Sequence, residues 1–221
     1  MSHDYFTKAI HLWWASPSAA AAYSAQALSP ADRPRAQRPR GAKAELDWRV
    51  SRALLARAAP GACSLSLSHS AGHALCGQTG PGIRLGVDLE RLQARDVTKL
   101  AAWVCDAGER EALARLSHAP ERQLEFFYVL WTLKEAFIKA AGLDFPADMR
   151  GAGLSLAENR EPALRPPAGK WHARVFWLAP HWMAAAVWSG GETTQTASVI
   201  WHPGPASPLP DYRLLGSWDC A

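Results

Sequence analysis

The sequence lacks the features that are typical of membrane-spanning proteins, of secreted proteins and of proteins stabilised by a structural metal ion. Among its 221 residues no run reaches the roughly 18 to 20 apolar residues that cross a bilayer. Residues 1–18 carry an early acid and no apolar stretch before a cleavage site, so we expect no signal peptide. The four cysteines show neither a CxxC nor a metal-ligand spacing. We therefore expect reduced thiols, no membrane association and a cytoplasmic location.

What the chain does contain is typical of a globular protein. Apolar residues make up 48% of it, and eleven tryptophans imply a large buried aromatic surface. The length suits one domain, or two small lobes that share a core. No repeat is visible, and strands and helices are mixed without a regular βαβ alternation. This mixture favours an α+β fold over a doubly wound sheet.

The local patterns predict the order of the elements. A strand over residues 5–14 precedes an alanine-rich helix that ends near Leu28. A helix from about Lys43 to Ala58 precedes three strands, "CSLSLSHS", "HALCGQ" and "IRLGVDLE". Helices follow over residues 96–118 and 121–141, the second closed by Gly142. A hairpin around "APHW", a last strand "TASVIW" and an irregular tail after Pro203 complete the chain.

Positive charge is concentrated in residues 33–57, although the net charge of the chain is only +4. Eight cations stand there against two acids, Glu45 and Asp47: Arg33, Arg35, Arg38, Arg40, Lys43, Arg49, Arg52 and Arg57. Such a run is typical of a solvated surface, of nucleic-acid binding, or of attraction to an acidic protein. Because Trp48 is its one aromatic residue and no groove-reading motif accompanies it, we expect no nucleic acid as a partner.

The segment "GVDLE" places two carboxylates on one face of a strand. Asp88 and Glu90 are two residues apart, so both side chains point the same way, while Val87 and Leu89 point the other way. Two neighbouring carboxylates repel each other unless a cation lies between them, and oxygen pairs of this kind suit Mg²⁺. A solvated strand end is the alternative interpretation.

The helix "FFYVLWTLKEAFIKAAG" carries charges in an otherwise apolar sequence. Its core stripe is predicted to consist of Phe126, Leu130, Leu133 and Phe137. Glu135 and Lys139 lie at i and i+4 on a different face, which they share with Tyr128 and Thr132. Considered alone, the pair could be an ordinary surface ion pair. With "GVDLE" upstream, Glu135 would supply a third carboxylate to a magnesium site, and Lys134 and Lys139 would bring positive charge to phosphate oxygens.

The strand "SLSLSHS" ends in His69 among small hydroxyl residues. A histidine in this position is more often a capping or surface residue than a functional one. A serine hydrolase is not indicated, since the chain has no G-x-S-x-G elbow and neighbouring strand residues point apart.

Taken together and in this order, "SLSLSHS", "GVDLE" and "WTLKEAFIK" resemble the motifs of the 4′-phosphopantetheinyl transferases, specifically the larger surfactin-type group. The last motif is close to the family signature W-x-x-KE-(S/A)-x-x-K. The resemblance covers residues 65–142 well and the rest of the chain loosely. It implies an enzyme that transfers the phosphopantetheine arm of coenzyme A to a serine of an apo acyl or peptidyl carrier protein, as in fatty-acid, polyketide and nonribosomal peptide synthesis, and releases adenosine 3′,5′-bisphosphate.

The resemblance also assigns roles to individual residues. Asp88, Glu90 and Glu135 match the family's ligands for Mg²⁺, which Mn²⁺ could replace. Lys139 matches a lysine that contacts the diphosphate, and Lys134 is a second candidate contact. His69 matches a residue near the 3′-phosphate of coenzyme A, and Arg38, Arg40 and Lys43 are candidates for the same phosphate by position. The base that removes the serine proton is either Glu135 or a water on the metal.

The implied fold is a pseudo-dimer of two similar α+β lobes with the active site in the cleft between them, so a monomer would suffice. This predicts an N-terminal lobe over residues 1–81, a C-terminal lobe over 82–202 and a proline-rich extension over 203–221. The chain departs from the family in having only "AAPGAC" where many relatives carry a longer segment with a "GKP" turn, so no adenine-binding residue is assigned. Ser66 also stands where many relatives have asparagine.

Two other classes of function remain open at this point. A nucleic-acid-binding module would use the basic segment 33–57. Another Mg²⁺-dependent phosphotransferase or phosphohydrolase would use the same carboxylates and would release phosphate without coenzyme A.

Overall fold

The structure, a computed structural model, describes four stretches of the chain: residues 9–58, 64–157, 160–190 and 198–220. Its contacts divide the chain into two compact units. The first unit comprises Met1–Gly82 and Ala197–Pro210, and the second comprises Ile83–Thr196 and Asp211–Ala221. None of the helices in the described stretches is long and apolar enough to cross a membrane.

The described residues form ten strands and five α-helices. The strands are β1 Ala9–Ala15, β2 Ser64–Ser70, β3 His73–Thr79, β4 Leu85–Arg91, β5 Gly153–Ser155, β6 Ala163–Arg165, β7 Trp171–Leu178, β8 Trp182–Ser189, β9 Ser198–Pro203 and β10 Tyr212–Asp219. The helices are α1 Arg33–Ala36, α2 Ala42–Ala58, α3 Val97–Val104, α4 Ala107–Arg115 and α5 Pro120–Ala141.

The first unit is a four-stranded sheet with one helix on it. Its strand order is β2-β3-β1-β9, with β1 antiparallel to β3 and parallel to β9. Helix α2 buries Val50 and Leu54 against Ala15 and Cys76 of the sheet. The segment after β1 is not the predicted helix: two short 3₁₀ helices, Pro17–Ala22 and Ala25–Ala27, each end where the backbone turns to an extended conformation.

The second unit is an antiparallel sheet covered by the long helix. Its strand order is β10-β7-β8-β4, and α5 packs across β4 and β8. The expected stripe of α5 is confirmed for Leu130, Leu133 and Phe137, which are fully buried, whereas Phe126 is only partly buried. Helix α5 ends at Gly142, whose φ of 65° is the left-handed conformation expected of a glycine C-cap.

The two sheets share a strand order. In each unit a strand leads to a helix and then to a hairpin, and the second hairpin strand pairs antiparallel with the first strand of the unit. This gives β2-β3-β1 in the first unit and β7-β8-β4 in the second. A fourth strand is added at a different edge in each, β9 beside β1 and β10 beside β7.

The C-terminal part of the chain differs from the prediction. Strand β9 belongs to the first unit, so residues 82–202 are not one continuous lobe. The tail after Pro203 is not an irregular extension, because β10 pairs with β7 along its whole length. Asp219 fixes the end of this strand through Arg174, with oxygen–nitrogen distances of 3.0 and 3.1 Å, and through His172 at 2.6 Å.

Some predictions fall partly outside the described residues. These are the start of the first strand at residues 5–8, the start of the last strand at residues 196–197, and most of the "AAPGAC" segment. Cys63 lies there as well. Among the described cysteines, Cys76, Cys105 and Cys220 are free thiols.

Gly86 brings helix and strand together in the second unit. A Cβ atom at this position would overlap the carbonyl oxygen of Ala136 and lie 2.6 Å from the amide nitrogen of Ala140. The backbone of α5 can therefore approach β4 this closely only because residue 86 has no side chain. The close approach sets the distance between the charged groups of β4 and those of α5.

We expect Gly86→Ala to destabilise the protein by about 1–3 kcal/mol or more, because the added methyl group must push α5 off the strand. Urea denaturation followed by circular dichroism measures the change. Gly108→Ala in α4 is the matched control, since its Cβ would meet nothing closer than 3.7 Å and alanine favours the helix. Equal stability of the two variants would contradict the packing argument.

Candidate active site

The charged groups of β4 and α5 lie close together because Gly86 lets the backbone of the helix approach the strand. Gly86, Asp88 and Glu90 occupy alternate positions of β4 and so share one face of the strand. Gly86 lies under the end of α5, and Glu90 lines a small cavity with Tyr128 near the start of the helix. The helix therefore runs antiparallel to the strand, with its charged positions above Asp88.

Asp88 and Lys139 form the central contact. The ammonium group of Lys139 lies 2.8 Å from Oδ1 of Asp88 and also donates to the carbonyl oxygen of Val87 at 3.0 Å. The Asp88 side chain is 5% exposed and that of Lys139 is 29% exposed. The ion pair is thus closed on its carboxylate side and open to solvent on its ammonium side.

Glu135 lies one helical turn before Lys139 and is half-buried. Burial raises the pKa of its carboxyl group, the nearby charge of Asp88 raises it further, and Lys139 opposes both effects. Glu135 and Asp88 are therefore within electrostatic reach of each other. A pair of carboxylates held together with one lysine is short of positive charge, and a cation placed between them would stabilise both.

The oxygen donors of this site are of the kind that binds Mg²⁺, but they are not assembled into a complete set of ligands. Hard carboxylate oxygens are the ligands that Mg²⁺ prefers, and Asp88 and Glu135 supply them. No set of three acidic, histidine or cysteine residues in the described stretches is close enough to form a metal centre. Glu90 lies apart, lining a cavity of about 110 Å³ with Arg95, Tyr128 and other residues of the second unit.

Lys134, which was predicted as a second diphosphate contact, is not brought together with Asp88, Glu135 and Lys139. Its side chain is completely buried and lies 2.8 Å from Oε2 of Glu109, which is buried as well. The ammonium group also donates to the carbonyl oxygens of Met149, at 2.9 Å, and Ala152, at 2.7 Å. Lys134 points to the opposite side of α5 from Lys139, and all its contacts are inside the second unit.

Glu109 is the residue that sequence reasoning missed here. It closes a capping box at the start of α4, where the amide of Asp106 donates to Oε2 at 2.9 Å and the amide of Glu109 donates back to Asp106 at 2.8 Å. Oε1 of Glu109 accepts from the amide of Leu154 at 3.2 Å. The acid three residues after Asp106 in "DAGE" was a visible capping signal, but its pairing with Lys134 depends on the packing of α4 against α5.

In the first unit, three of the predicted phosphate contacts line one pocket. Arg38, Arg40 and His69 surround a cavity of about 350 Å³, together with Trp48 and further arginines. Lys43 is exposed on α2 and does not line the cavity. Neither Arg38 nor Arg40 forms an ion pair with a carboxylate within the described part of the chain, so their charges are available to an anion.

Arg35, Arg52 and Trp48 are the pocket residues that sequence reasoning did not single out. The guanidinium group of Arg40 lies 4.1 Å from the centre of the Trp48 ring, and that of Arg52 lies 4.6 Å from it. Asp32 holds Arg52 at 2.6 Å and Arg35 at 3.3 Å. The spacing of Trp48 and Arg52 at i and i+4 on a predicted helix was the signal that could have found both.

A second cavity, of about 610 Å³, adjoins the first in the same unit. It shares Arg35 and Arg52 with the basic pocket, and its other walls include Leu28, Leu55 and Leu67. The first unit therefore offers an apolar cavity directly beside a cationic one.

Comparison with known proteins finds a family match over the part of the chain that contains Asp88, Glu90 and Glu135. Residues 84–187 match the sequence profile of the 4′-phosphopantetheinyl transferase superfamily. A 4′-phosphopantetheinyl transferase of Bacillus pumilus is 34% identical over 83 residues, which are 38% of this chain and 34% of that protein. The match thus spans about a third of the length of this relative.

Among solved structures, the holo-[acyl-carrier-protein] synthase of Thermotoga maritima is similar at 22% sequence identity and a TM-score of 0.38. The match covers 50% of this chain and 65% of that one.

Proposed function

We propose that this chain, in which residues 84–187 match the sequence profile of the 4′-phosphopantetheinyl transferase superfamily, is a transferase that moves the 4′-phosphopantetheine arm of coenzyme A onto a serine of an apo carrier protein. The observation that carries the proposal is the contact between Asp88 and Lys139 beneath Glu135. These residues come from the two motifs, "GVDLE" and "WTLKEAFIK", that are most similar to those of the family.

In this proposal the carboxylates of the second unit hold Mg²⁺, or Mn²⁺ in its place. Asp88 and Glu135 would be two of its ligands, and Glu90, which shares a face of β4 with Asp88 but lines a separate cavity, would be the third. When bound, the metal supplies positive charge that neutralises the diphosphate of coenzyme A. Lys139 binds the diphosphate through the part of its ammonium group that faces solvent.

Glu135 is the group that we propose accepts the proton of the carrier serine. In the metal-free protein, burial and the charge of Asp88 raise the pKa of Glu135 and Lys139 opposes both effects, so the carboxylate is a candidate for this general base. Lys139, four residues further along the helix, would then hold the diphosphate beside the attacking hydroxyl.

We further propose that the nucleotide end of coenzyme A binds the first unit. Arg38, Arg40 and His69 suit the 3′-phosphate because the two arginines form no ion pair with a carboxylate of the described residues. We add Arg35 and Arg52, which line the same pocket, to the proposed phosphate contacts. Lys43 does not line the pocket and is not among them. The adjoining cavity with its leucine walls has the apolar surface that an adenine ring would contact, and it would replace the longer segment of other relatives.

The proposal also includes a pseudo-dimeric arrangement of two lobes with a cleft between them. It further includes a monomeric state and a cytoplasmic location. The strand order shared by the two sheets supports an origin from two similar lobes. No observation favours nucleic-acid binding over anion binding at the basic pocket.

The test mixes the protein, coenzyme A and Mg²⁺ with apo carrier proteins of the fatty-acid, polyketide and peptide types and measures the intact mass of each carrier. We expect at least one carrier to gain the phosphopantetheine arm and adenosine 3′,5′-bisphosphate to appear in equal amount. A panel that stays unmodified would reject the proposal. Phosphate release in the absence of coenzyme A would instead indicate a phosphohydrolase.

A further inference from the structure

Two histidines face each other at one edge of the first sheet. His11 lies in β1 and His202 in β9, and Nδ1 of His11 is 2.8 Å from Nε2 of His202. At this distance one nitrogen must carry a hydrogen and the other must accept it. His11 is only 1% exposed, so the pair is largely shielded from water.

The surroundings of the pair contain a further positive charge. The ring of His202 stacks on Trp13, with centroids 4.3 Å apart, and the guanidinium group of Arg57 lies 5.3 Å from the centre of the same tryptophan ring. On β3, the cross-strand neighbours of His11 and Trp13 are Gln78 and Cys76. Among the described residues, α2 thus contributes Arg57 to these surroundings, and β3 contributes the amide of Gln78 and the thiol of Cys76.

Protonation of both imidazoles is incompatible with this geometry. Two imidazolium rings have only donors on their nitrogen atoms, so the contact at 2.8 Å would be lost. The cation on His202 would also lie near Arg57, and the cation on His11 would be buried. Burial lowers the pKa of His202, and the charge of Arg57 lowers it further.

The strand that carries His202 lies at the edge of its sheet. Among the described strands, β9 is paired only with β1. Its residues Ser198 and Pro203 are exposed, and only Trp201 is buried. A loss of the histidine contact would therefore weaken the attachment of β9 more than that of any central strand.

We propose that the His11–His202 pair is an acid-sensitive latch that holds β9 in the first sheet. The direction of the pH effect follows from the neutral state of the histidine pair in the folded protein. A free histidine takes up a proton near pH 6.5, whereas the folded His202 resists it. The attachment of β9 is therefore fully stabilised above about pH 6.5 and is weakened as the pH falls below that value.

Hydrogen exchange followed by mass spectrometry tests the latch. The full-length protein is labelled at pH 7.5 and pH 5.0, rates are corrected for the intrinsic effect of pH, and peptides covering β9 are compared. If opening takes up one proton, the opening equilibrium at pH 5.0 should rise by about 30-fold. His202→Phe keeps an aromatic ring on Trp13 but cannot titrate, so its β9 should show no such rise.

His118→Gln is the matched control, because His118 is exposed and lies in the other unit. It should behave like the wild-type chain. His202→Gln serves as a second variant without a titrating ring if the phenylalanine disturbs packing. The proposal is overturned if β9 exchanges equally at both pH values in the wild-type chain, or if the rise persists in a folded variant that lacks His202.

Discussion

Replacing Glu135 with glutamine is expected to lower the rate of carrier modification by about 10³-fold, because the substitution removes a charge that acts on both the metal and the serine proton. The amide is nearly the same size as the carboxylate, so packing on α5 should be preserved. Intact-mass measurement of a carrier at saturating coenzyme A and Mg²⁺ gives the rate.

The same substitution should increase the stability of the metal-free protein above the acidic range. The pKa of Glu135 is raised in the folded state, mainly by burial. The wild-type free energy of unfolding therefore falls as the pH rises from about 4.5 through the raised pKa, and stays at the lower value above it. Glutamine has no charge to desolvate, so the Glu135→Gln variant should lack this fall.

Magnesium separates the functional role from the structural one. Added Mg²⁺ should raise the unfolding temperature of the wild-type chain and leave that of Glu135→Gln nearly unchanged. Glu125→Gln is the control on the same helix, since Glu125 forms a solvent-exposed ion pair with Arg213. A Glu135→Gln variant with near-normal rates at limiting Mg²⁺ would exclude Glu135 both as ligand and as base.

Replacing Lys134 with methionine should destabilise the protein by about 3 kcal/mol, because the buried carboxylate of Glu109 loses its closest cation and keeps Arg165, 3.3 Å from Oε1, as its other described cationic neighbour. Two backbone carbonyls, those of Met149 and Ala152, would lose a donor as well. An effect of this size is a large fraction of the stability of an ordinary domain. Denaturation in urea measures it, and Lys99→Met, which changes an exposed lysine of α3, is the matched control.

The double variant Lys134→Met/Glu109→Gln decides between the two roles of Lys134. Glutamine can still accept from the amide of Leu154, and it removes the buried charge that Lys134 no longer offsets. It should therefore be more stable than Lys134→Met alone. Once folded, it should bind coenzyme A with a normal KM. A raised KM in a stable double variant would restore Lys134 as a phosphate contact and contradict its assignment as a buried partner of Glu109.

The alternation of side-chain directions in β4 and the helical spacing of the charged residues in α5 could be predicted from the sequence. They placed Asp88 and Glu90 on one face of a strand and Glu135 with Lys139 on one face of a helix, since side-chain direction follows directly from local geometry. The same local rules predicted Gly142 as the C-cap and the hairpin of β7 and β8. These features depend on neighbours within one or two turns.

The sequence alone could not distinguish Lys134 from Lys139. Both are lysines of one helix, five residues apart, and only the packing of α4 and β5 on one side and β4 on the other decides that the first is buried and the second is not. Gly86 is a similar case, because its role is to admit the backbone of α5, which lies some 50 residues away along the chain.

The C-terminal strands show the same limit. Nothing local indicates that β9 pairs with β1 or that β10 pairs with β7, because strand partners are chosen by hydrogen bonds and packing across large sequence separations. The sequence by itself determined the motifs, the α+β class and the chemistry of the charged residues. Only the tertiary structure decided which of those charges face solvent and which are buried partners, since burial depends on residues that are distant in the chain.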